Sequence, residues 1–395
     1  MLYKRTSLSN LADYINGMAI KPSDWKDEGV KIIRIEQLNN PKGAYDYFQG
    51  YFPESNAIDN EDLIFSWSAT LKVVIWKYGK GVLNQHLFKV IPYTNTDKYF
   101  LHQLLDYHMD KLAESSHGST MKHIKREELD KYKVVVPADK QEQQRIANIL
   151  STCDKVIEKT EETIEKYKQI KAGMMQDLFT RGLDENGKLR PTYTQAPDLY
   201  KYSKELDRYI PKEWNADKLD NLFTYTVGGD VDRPCFSEYQ TSLHKYPIFA
   251  NAVDNEGLYG YSSKFVINCP AITIAGRGNV GTVFYRDAFF TPIVRLIVAF
   301  PNECLNILFA SIALSRIKFE SEATGIPQLT VPMVKKYKMA YPKNKEEQQN
   351  IYKYLHKIDL KLDKEEQYLN KYKQIKQGLM KQLLTPPADA EIVEE

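Results

Sequence analysis

Apolar residues recur at alternating steps of three and four over two stretches of the chain, Glu142–Thr180 and Glu347–Thr385. In the first they fall at Ile146, Ile149, Leu150, Cys153, Val156, Ile157, Ile164, Tyr167, Ile170, Met174 and Leu178. In the second they fall at Ile351, Leu355, Ile358, Leu362, Leu369, Tyr372, Ile375, Leu379 and Leu383. This spacing predicts two long helices, each with one narrow apolar seam. No proline interrupts either stretch, and each seam carries one polar gap, at Thr160 and at Glu365. The stretches align without a gap, 205 positions apart, and KYKQIK repeats letter for letter at Lys166–Lys171 and Lys371–Lys376. At about 1.5 Å per residue each rod would be roughly 58 Å long. So narrow a stripe on so long a rod needs a partner, and the other copy is the economical one. The residues expected to pair are Ile146, Leu150, Ile157, Ile164, Tyr167 and Ile170 with Ile351, Leu355, Ile358, Leu362, Leu369, Tyr372 and Ile375, in an antiparallel arrangement. An ordinary surface helix or an oligomerisation coil would account for one copy; it accounts poorly for two copies around a domain-sized insert.

Between and before the helices the pattern changes to short apolar runs and turns. Leu8, Leu11 and Ile15 have the spacing of a short helix. Val30–Ile35, Asp62–Phe65 and Lys72–Trp76 read as strands, with a turn at Tyr78–Gly81. Phe100–Ala113 has helical spacing, and Tyr132–Val136 reads as a last strand before Pro137. In the second half, Ala271–Ala275 and Val280–Tyr285 read as strands around the turn Gly276-Arg277-Gly278-Asn279. Val294–Phe300 follows as a strand and Asn306–Phe319 as a helix. Pro137 before the first long helix has its echo in Pro342 before the second. The layout predicted is α+β: a mixed domain over 1–139, a helix over 140–180, a linker over 181–213, a second mixed domain over 214–342, a helix over 343–385, and a disordered acidic tail over 386–395. The linker reading rests on Gly182, Gly187, Pro191 and Pro197.

A chain of 395 residues, 43% hydrophobic and 27% charged, is too long for one ordinary core and suits two domains with connecting helices. Its formal net charge of +2 does not by itself announce a nucleic-acid binder. Cys153, Cys235, Cys269 and Cys304 lie far apart with no CxxC spacing, which points to reduced thiols and away from a zinc site. No apolar run approaches a membrane span, and the polar start of the chain is unlike a signal peptide, so a cytoplasmic setting is expected. Catalytic motifs are missing too. The chain contains no GxxxxGK[ST] loop, no HExxH, and no NPPY or DPPY tetrapeptide. The glycine-rich piece Gly276–Gly281 lies between two strand patterns, where it reads as a hairpin turn.

Several further motifs carry a resemblance. PADKQEQQRI at Pro137–Ile146 and PKNKEEQQNI at Pro342–Ile351 open the two helices alike. INGMAIKPSDW (Ile15–Trp25), GVKIIRIEQL (Gly29–Leu38), LIFSWSATL (Leu63–Leu71), VLNQHLFKV (Val82–Val90), IPKEW (Ile210–Trp214) and TIAGRGNVGTVFY (Thr273–Tyr285) mark the domains. With the domain–helix–domain–helix layout, the chain resembles the specificity (S) subunit of Type I restriction-modification systems over nearly all its length. The resemblance implies two target-recognition domains related by a pseudo-two-fold axis, each reading one half of a split double-stranded DNA target, with the paired helices fixing the unread gap. It also implies partners: two methyltransferase (M) subunits that carry S-adenosylmethionine, and restriction (R) subunits that use ATP and Mg. The S chain itself would be a bacterial or archaeal non-catalytic reader and scaffold that binds no cofactor and no metal.

Base readout needs exposed side chains with paired donors or acceptors. In the first domain Ser66, Ser68, Thr70, Asn84, Gln85 and His86 are candidates, although the last three also fit the capping of a turn and Trp67 fits a core role. In the second domain the candidates are Arg277 and Asn279 at the hairpin tip, with Gln328; a solvated surface hairpin is the plainer alternative. Lys122, Lys125 and Arg126 are candidates for phosphate contact, or for simple surface lysines and arginine. An adaptor bridging two proteins through a coiled coil would also explain the helices and the charge, but not the polar turns in both domains.

Overall fold

The structure, a computed structural model, describes residues 2–68, 70–115, 124, 126–320 and 328–394. The chain divides into two compact units. Unit 1 comprises Met1–Thr163 with Glu365–Glu395, and unit 2 comprises Ile164–Lys364. Each of the two long helices, Lys140–Thr180 and Lys345–Leu383, therefore gives one half to each unit.

In unit 1 a four-stranded antiparallel sheet runs in the order Ala12–Asn16, Leu87–Pro92, Leu63–Ser66, Lys72–Ile75. Leu63–Ser66 is buried throughout, as a central strand covered on both faces must be. The helix Lys98–Ser115 lays Phe100, Leu101, Leu104, Leu105 and Leu112 on this sheet. Asp97 starts that helix, its carboxylate accepting from the Tyr99 and Phe100 amides. Leu8, Leu11 and Ile15 do not form a helix. A single 3-10 turn at Leu8–Asn10 leads into the strand Ala12–Asn16, because Ala12 and Tyr14 alternate inward against Pro92 and Val90.

Unit 2 repeats the plan. Its sheet order is Phe223–Val227, Ile297–Pro301, Ala271–Ile274, Val283–Arg286. The covering helix Ile307–Ser315 is capped by Asn306, whose side chain accepts from the Leu308 and Phe309 amides. The helix is shorter than the run Asn306–Phe319 suggests, since Asn306 is its cap and the chain turns at Arg316.

The long helices pair antiparallel inside each unit. In unit 1, Ile146, Ala147 and Leu150 share a core with Met380 and Leu384, and Asp154 meets Lys376 at 2.7 Å. In unit 2, Leu178 and Phe179 share a core with Ile351 and Leu355, and Lys171 meets Asp359 at 2.5 Å. The two ion pairs join the same repeat positions. Of the expected seam, Ile146, Leu150, Ile164, Ile351, Leu355 and Leu362 are buried, and Ile157, Tyr167, Ile358, Leu369 and Tyr372 are half-buried. Ile170 and Ile375 are not in the seam: they are 38% and 44% exposed. A straight helix drifts about 20° per heptad from a 3.5-residue repeat, and here the next residues, Lys171 and Lys376, turn inward to the carboxylates. Thr160, the polar gap of the first seam, is buried and satisfies itself by donating to the Val156 carbonyl.

Two other segments depart from expectation. Residues 181–213 are folded onto unit 2: Leu183 and Ile210 enter its core, and Tyr200–Ser203 pairs with Arg208–Pro211 as a hairpin. The acidic tail is ordered as a strand, Glu391–Glu394, parallel to Leu2–Ser7. It satisfies the open edge of that strand, and Glu394 lies 3.6 Å from Arg5.

Candidate nucleic-acid interface

Both units bring together the same three pieces of chain at one end of the main sheet. The first is the hairpin tip between the third and fourth strands of the sheet order. The second is the turn that enters the second strand. The third is the segment following the covering helix.

In unit 1 the tip is Trp67–Leu71. The Ile124 amide donates to the Trp67 carbonyl at 2.9 Å, which ties this residue, beyond the covering helix, to the tip. The turn is Asn84–Leu87, closed by Leu87 N–H to the Asn84 carbonyl at 3.1 Å and held to the first strand by Gly17 N–H to the Leu87 carbonyl at 2.8 Å. A side chain at Gly17 would stand 2.2 Å from the Asn84 carbonyl oxygen, so only glycine allows this approach. The Trp67 ring is half-buried and packs on His86 and Phe88 at 5.6 and 5.8 Å.

In unit 2 the tip is Ala275–Thr282, and the Leu329 amide donates to the Gly276 carbonyl at 2.8 Å. The turn is Ile293–Leu296, closed at 3.1 Å and held by Gly228 N–H to the Leu296 carbonyl at 2.8 Å. Asn251 clamps tip to turn. Its amide nitrogen donates to the Val294 carbonyl at 2.6 Å, and its oxygen accepts from the Gly276 amide at 2.8 Å.

The candidates fall unevenly on this geometry. Ser66 is fully buried and donates to the Thr70 carbonyl at 2.7 Å; Ser68 is buried as well. Asn84 is buried and donates to the Ile20 carbonyl at 3.2 Å. These three are fixed inside the scaffold and shape the tip and turn, so the expectation that they present themselves to a base is corrected. Thr70 and Gln85 are exposed, and His86 is half-buried with Nδ1 lacking a hydrogen-bond partner among the described residues. Arg126 is exposed at the start of the short helix Arg126–Lys131. Lys122 and Lys125 lie outside the described residues. In unit 2 Asn279 is exposed and Arg277 half-buried, with Arg277 Nε lacking a hydrogen-bond partner among the described residues. Gln328 is half-buried beside Leu329 and so adjoins the tip.

Sequence reasoning missed Asn251 and the Val294-Arg295 turn. The signal available was weak: a lone Asn after a strand, and an Arg in a run read as a continuous strand. Among the described residues no three His, Cys, Asp or Glu side chains group as a metal site, and no helix is long and apolar enough to cross a membrane. The four cysteines are free thiols.

The family model for the Type I restriction modification DNA specificity domain matches residues 3–169 and 211–374. A Mycoplasma pneumoniae chain assigned as a type I specificity subunit is 33% identical over 138 residues, covering 35% of this chain and 38% of that one. The Type I restriction enzyme EcoBI specificity subunit of Escherichia coli is 26% identical over 224 residues, 55% of this chain and 46% of that one. These matches span about two fifths of the relatives' length. The crystal structure of a Type-I restriction-modification system S subunit from M. genitalium superposes over 98% of this chain and 97% of its own, with a TM-score of 0.64 at 18% identity.

Proposed function

Because the chain belongs to the Type I restriction modification DNA specificity family, we propose that it reads a split double-stranded DNA target, one half-site per unit, with the paired helices fixing the gap. The observation that carries this reading is the repeated junction: in each unit a hairpin tip, a tight turn and a residue beyond the covering helix meet, tied by amide-to-carbonyl bonds of 2.9 and 2.8 Å. Direct readout needs a few exposed side chains on a rigid frame. Here the members that reach the surface are the exposed Thr70 and Gln85 with half-buried His86 in unit 1, and the exposed Asn279 with half-buried Arg277 and Gln328 in unit 2. Arg126, with Lys122 and Lys125, would supply phosphate contact, which positions without specifying.

The same proposal makes the chain a non-catalytic scaffold for two M subunits, and through them for R subunits, in a cytoplasmic complex. S-adenosylmethionine would reside in the M subunits, and ATP with Mg in the R subunits; this chain would hold no cofactor. The small net charge fits a reader whose partners supply much of the backbone contact.

Methylation mapping of the assembled methyltransferase complex tests this. The wild-type chain should give one two-part target with one gap length. Arg277→Ala or Asn279→Ala should relax one half-site by about 1–3 kcal/mol of discrimination and leave the other untouched. Equal weakening on every sequence would remove these residues from base readout, and modification without any target would remove the DNA-reading role.

A further inference from the structure

We propose that Arg295 is a specificity-determining residue of unit 2, reading a guanine edge beside the hairpin tip; this rests on the DNA-reading role above. The turn Ile293–Leu296 closes with its fourth-residue amide on its first-residue carbonyl, and both central residues have positive φ: 52° at Val294 and 58° at Arg295. That is the backbone of a type I′ turn, which strongly favours Asn-Gly or Asp-Gly. A β-branched valine followed by an arginine is an unfavourable choice there. The corresponding turn of unit 1, Asn84-Gln85-His86-Leu87, has the same closing bond and the same glycine anchor without positive φ at Gln85 or His86; in unit 2 the Val294 and Arg295 amides donate in addition to the Gly229 and Gly228 carbonyls at 2.8 and 3.0 Å. The strain is thus not demanded by the closing bond or the glycine anchor, because the other copy has both without it. Strain retained where it could be relieved points to function.

Placement gives that function a chemistry. Arg295 is exposed, and neither it nor Arg277 forms an ion pair with a described carboxylate. A side-chain carbon added at Gly276 would stand 3.4 Å from the Arg295 carbonyl oxygen, so the two arginine-bearing loops are in backbone contact. Asn251 holds both loops, at 2.6 and 2.8 Å. Arg295 also takes the position that His86 takes in unit 1, where Nδ1 has no hydrogen-bond partner among the described residues. A guanidinium on a rigid turn can donate in bidentate fashion to O6 and N7 of guanine, which a lysine ammonium cannot reproduce. Asn251 is a positioning residue in this arrangement.

The test uses the assembled methyltransferase complex and a duplex library varied one base pair at a time around the mapped target. Arg295→Ala should lose roughly ten- to hundred-fold discrimination at one base pair of one half-site. Arg295→Lys should keep overall affinity while losing that discrimination. Arg295→Gly, which suits the turn, should raise the melting temperature of the free chain and lose the same discrimination, so stability and readout move in opposite directions. An unchanged target, or a uniform loss on all sequences, overturns the assignment while a mapped wild-type target leaves the DNA-reading role intact. A wild-type complex with no target overturns both.

Discussion

Gln143 and Gln348 do the same thing in the two units, whereas their neighbours Glu142 and Glu347 do not. Each glutamine is fully buried one turn into its long helix. Gln143 donates to the Pro137 carbonyl at 3.0 Å and accepts from the Asp97 amide at 2.8 Å; Gln348 donates to the Pro342 and Cys304 carbonyls at 2.8 and 2.9 Å and accepts from the Asn306 amide at 2.6 Å. Both tie a long helix to the end of a strand and to the start of the covering helix. Glu347, in contrast, is buried and forked by Arg190 at 2.6 and 3.0 Å, and it also accepts from the Trp214 indole and the Leu183 amide, each at 2.9 Å. Glu142 is half-buried and pairs with the exposed Arg145 of its own helix, at 2.7 Å. The repeat is identical where a shared backbone junction leaves polar groups to satisfy. It diverges where the chain after each helix differs, since only unit 2 receives the 181–213 segment.

The sharpest way to break this comparison is Glu347→Ala against Glu142→Ala. Removing Glu347 leaves Arg190 buried and unpaired, so a loss of about 3–5 kcal/mol is expected in denaturant unfolding. The Glu142 variant should be close to wild type, and equal losses would show that the helix starts are equivalent after all. Next in size, Gln143→Leu and Gln348→Leu should each cost about 1–3 kcal/mol, because each strands buried backbone groups. A clear difference between them would mean that the two junctions are only superficially alike.

The smallest effect separates the covering helices. His108 in unit 1 hydrogen-bonds to Tyr132 at 3.0 Å, and burial, then the charge of Lys111, pushes its imidazole down to about 4. In unit 2 no histidine among the described residues does this: the helix ends at Ser315, and the ring packed on Tyr337, the repeat position of Tyr132, is Phe319. A folded-state value below the ordinary 6.5 means that the unfolded chain takes up the proton first. The stability contributed is therefore present above pH 6.5 and lost as pH falls through about 4. After allowance for solvent screening the loss should be about 1–2 kcal/mol. Unfolding midpoints across this window should fall less steeply in His108→Gln than in the wild type, the remaining slope including His102, whose imidazole burial also pushes down; a slope unchanged by the substitution would assign the acid sensitivity elsewhere. The Lys376 ammonium of the Lys376–Asp154 tie stays charged across this window. Burial pulls the Lys376 ammonium down, but Asp154 and Asp106 outweigh it and leave it above the usual lysine value.

The lengths of both helices, their antiparallel seam and the repeat were legible in the chain, because a 3.6-residue period and a literal duplication are local properties. The central strands were legible for the same reason: Leu63–Ser66 and Ala271–Ile274 are mostly apolar, with one polar residue each, Ser66 and Thr273. What the pattern could not carry was the environment of single polar residues. Ser66 and Asn84 look like base readers in a sequence and are buried struts, because their partners, Thr70 and Ile20, are carbonyls that only the folded turn brings near. Ile170 and Ile375 look like seam residues and face outward, because helix drift and two inward lysines decide which side of the rod is covered. The acidic tail and the 181–213 segment look like loose ends, and they pair because an open strand edge and a buried carboxylate lie within reach. Arg295 was hidden for the same reason. Its left-handed turn and its contact with the Gly276 loop bring together residues far apart in the chain, and no local period records where distant loops meet.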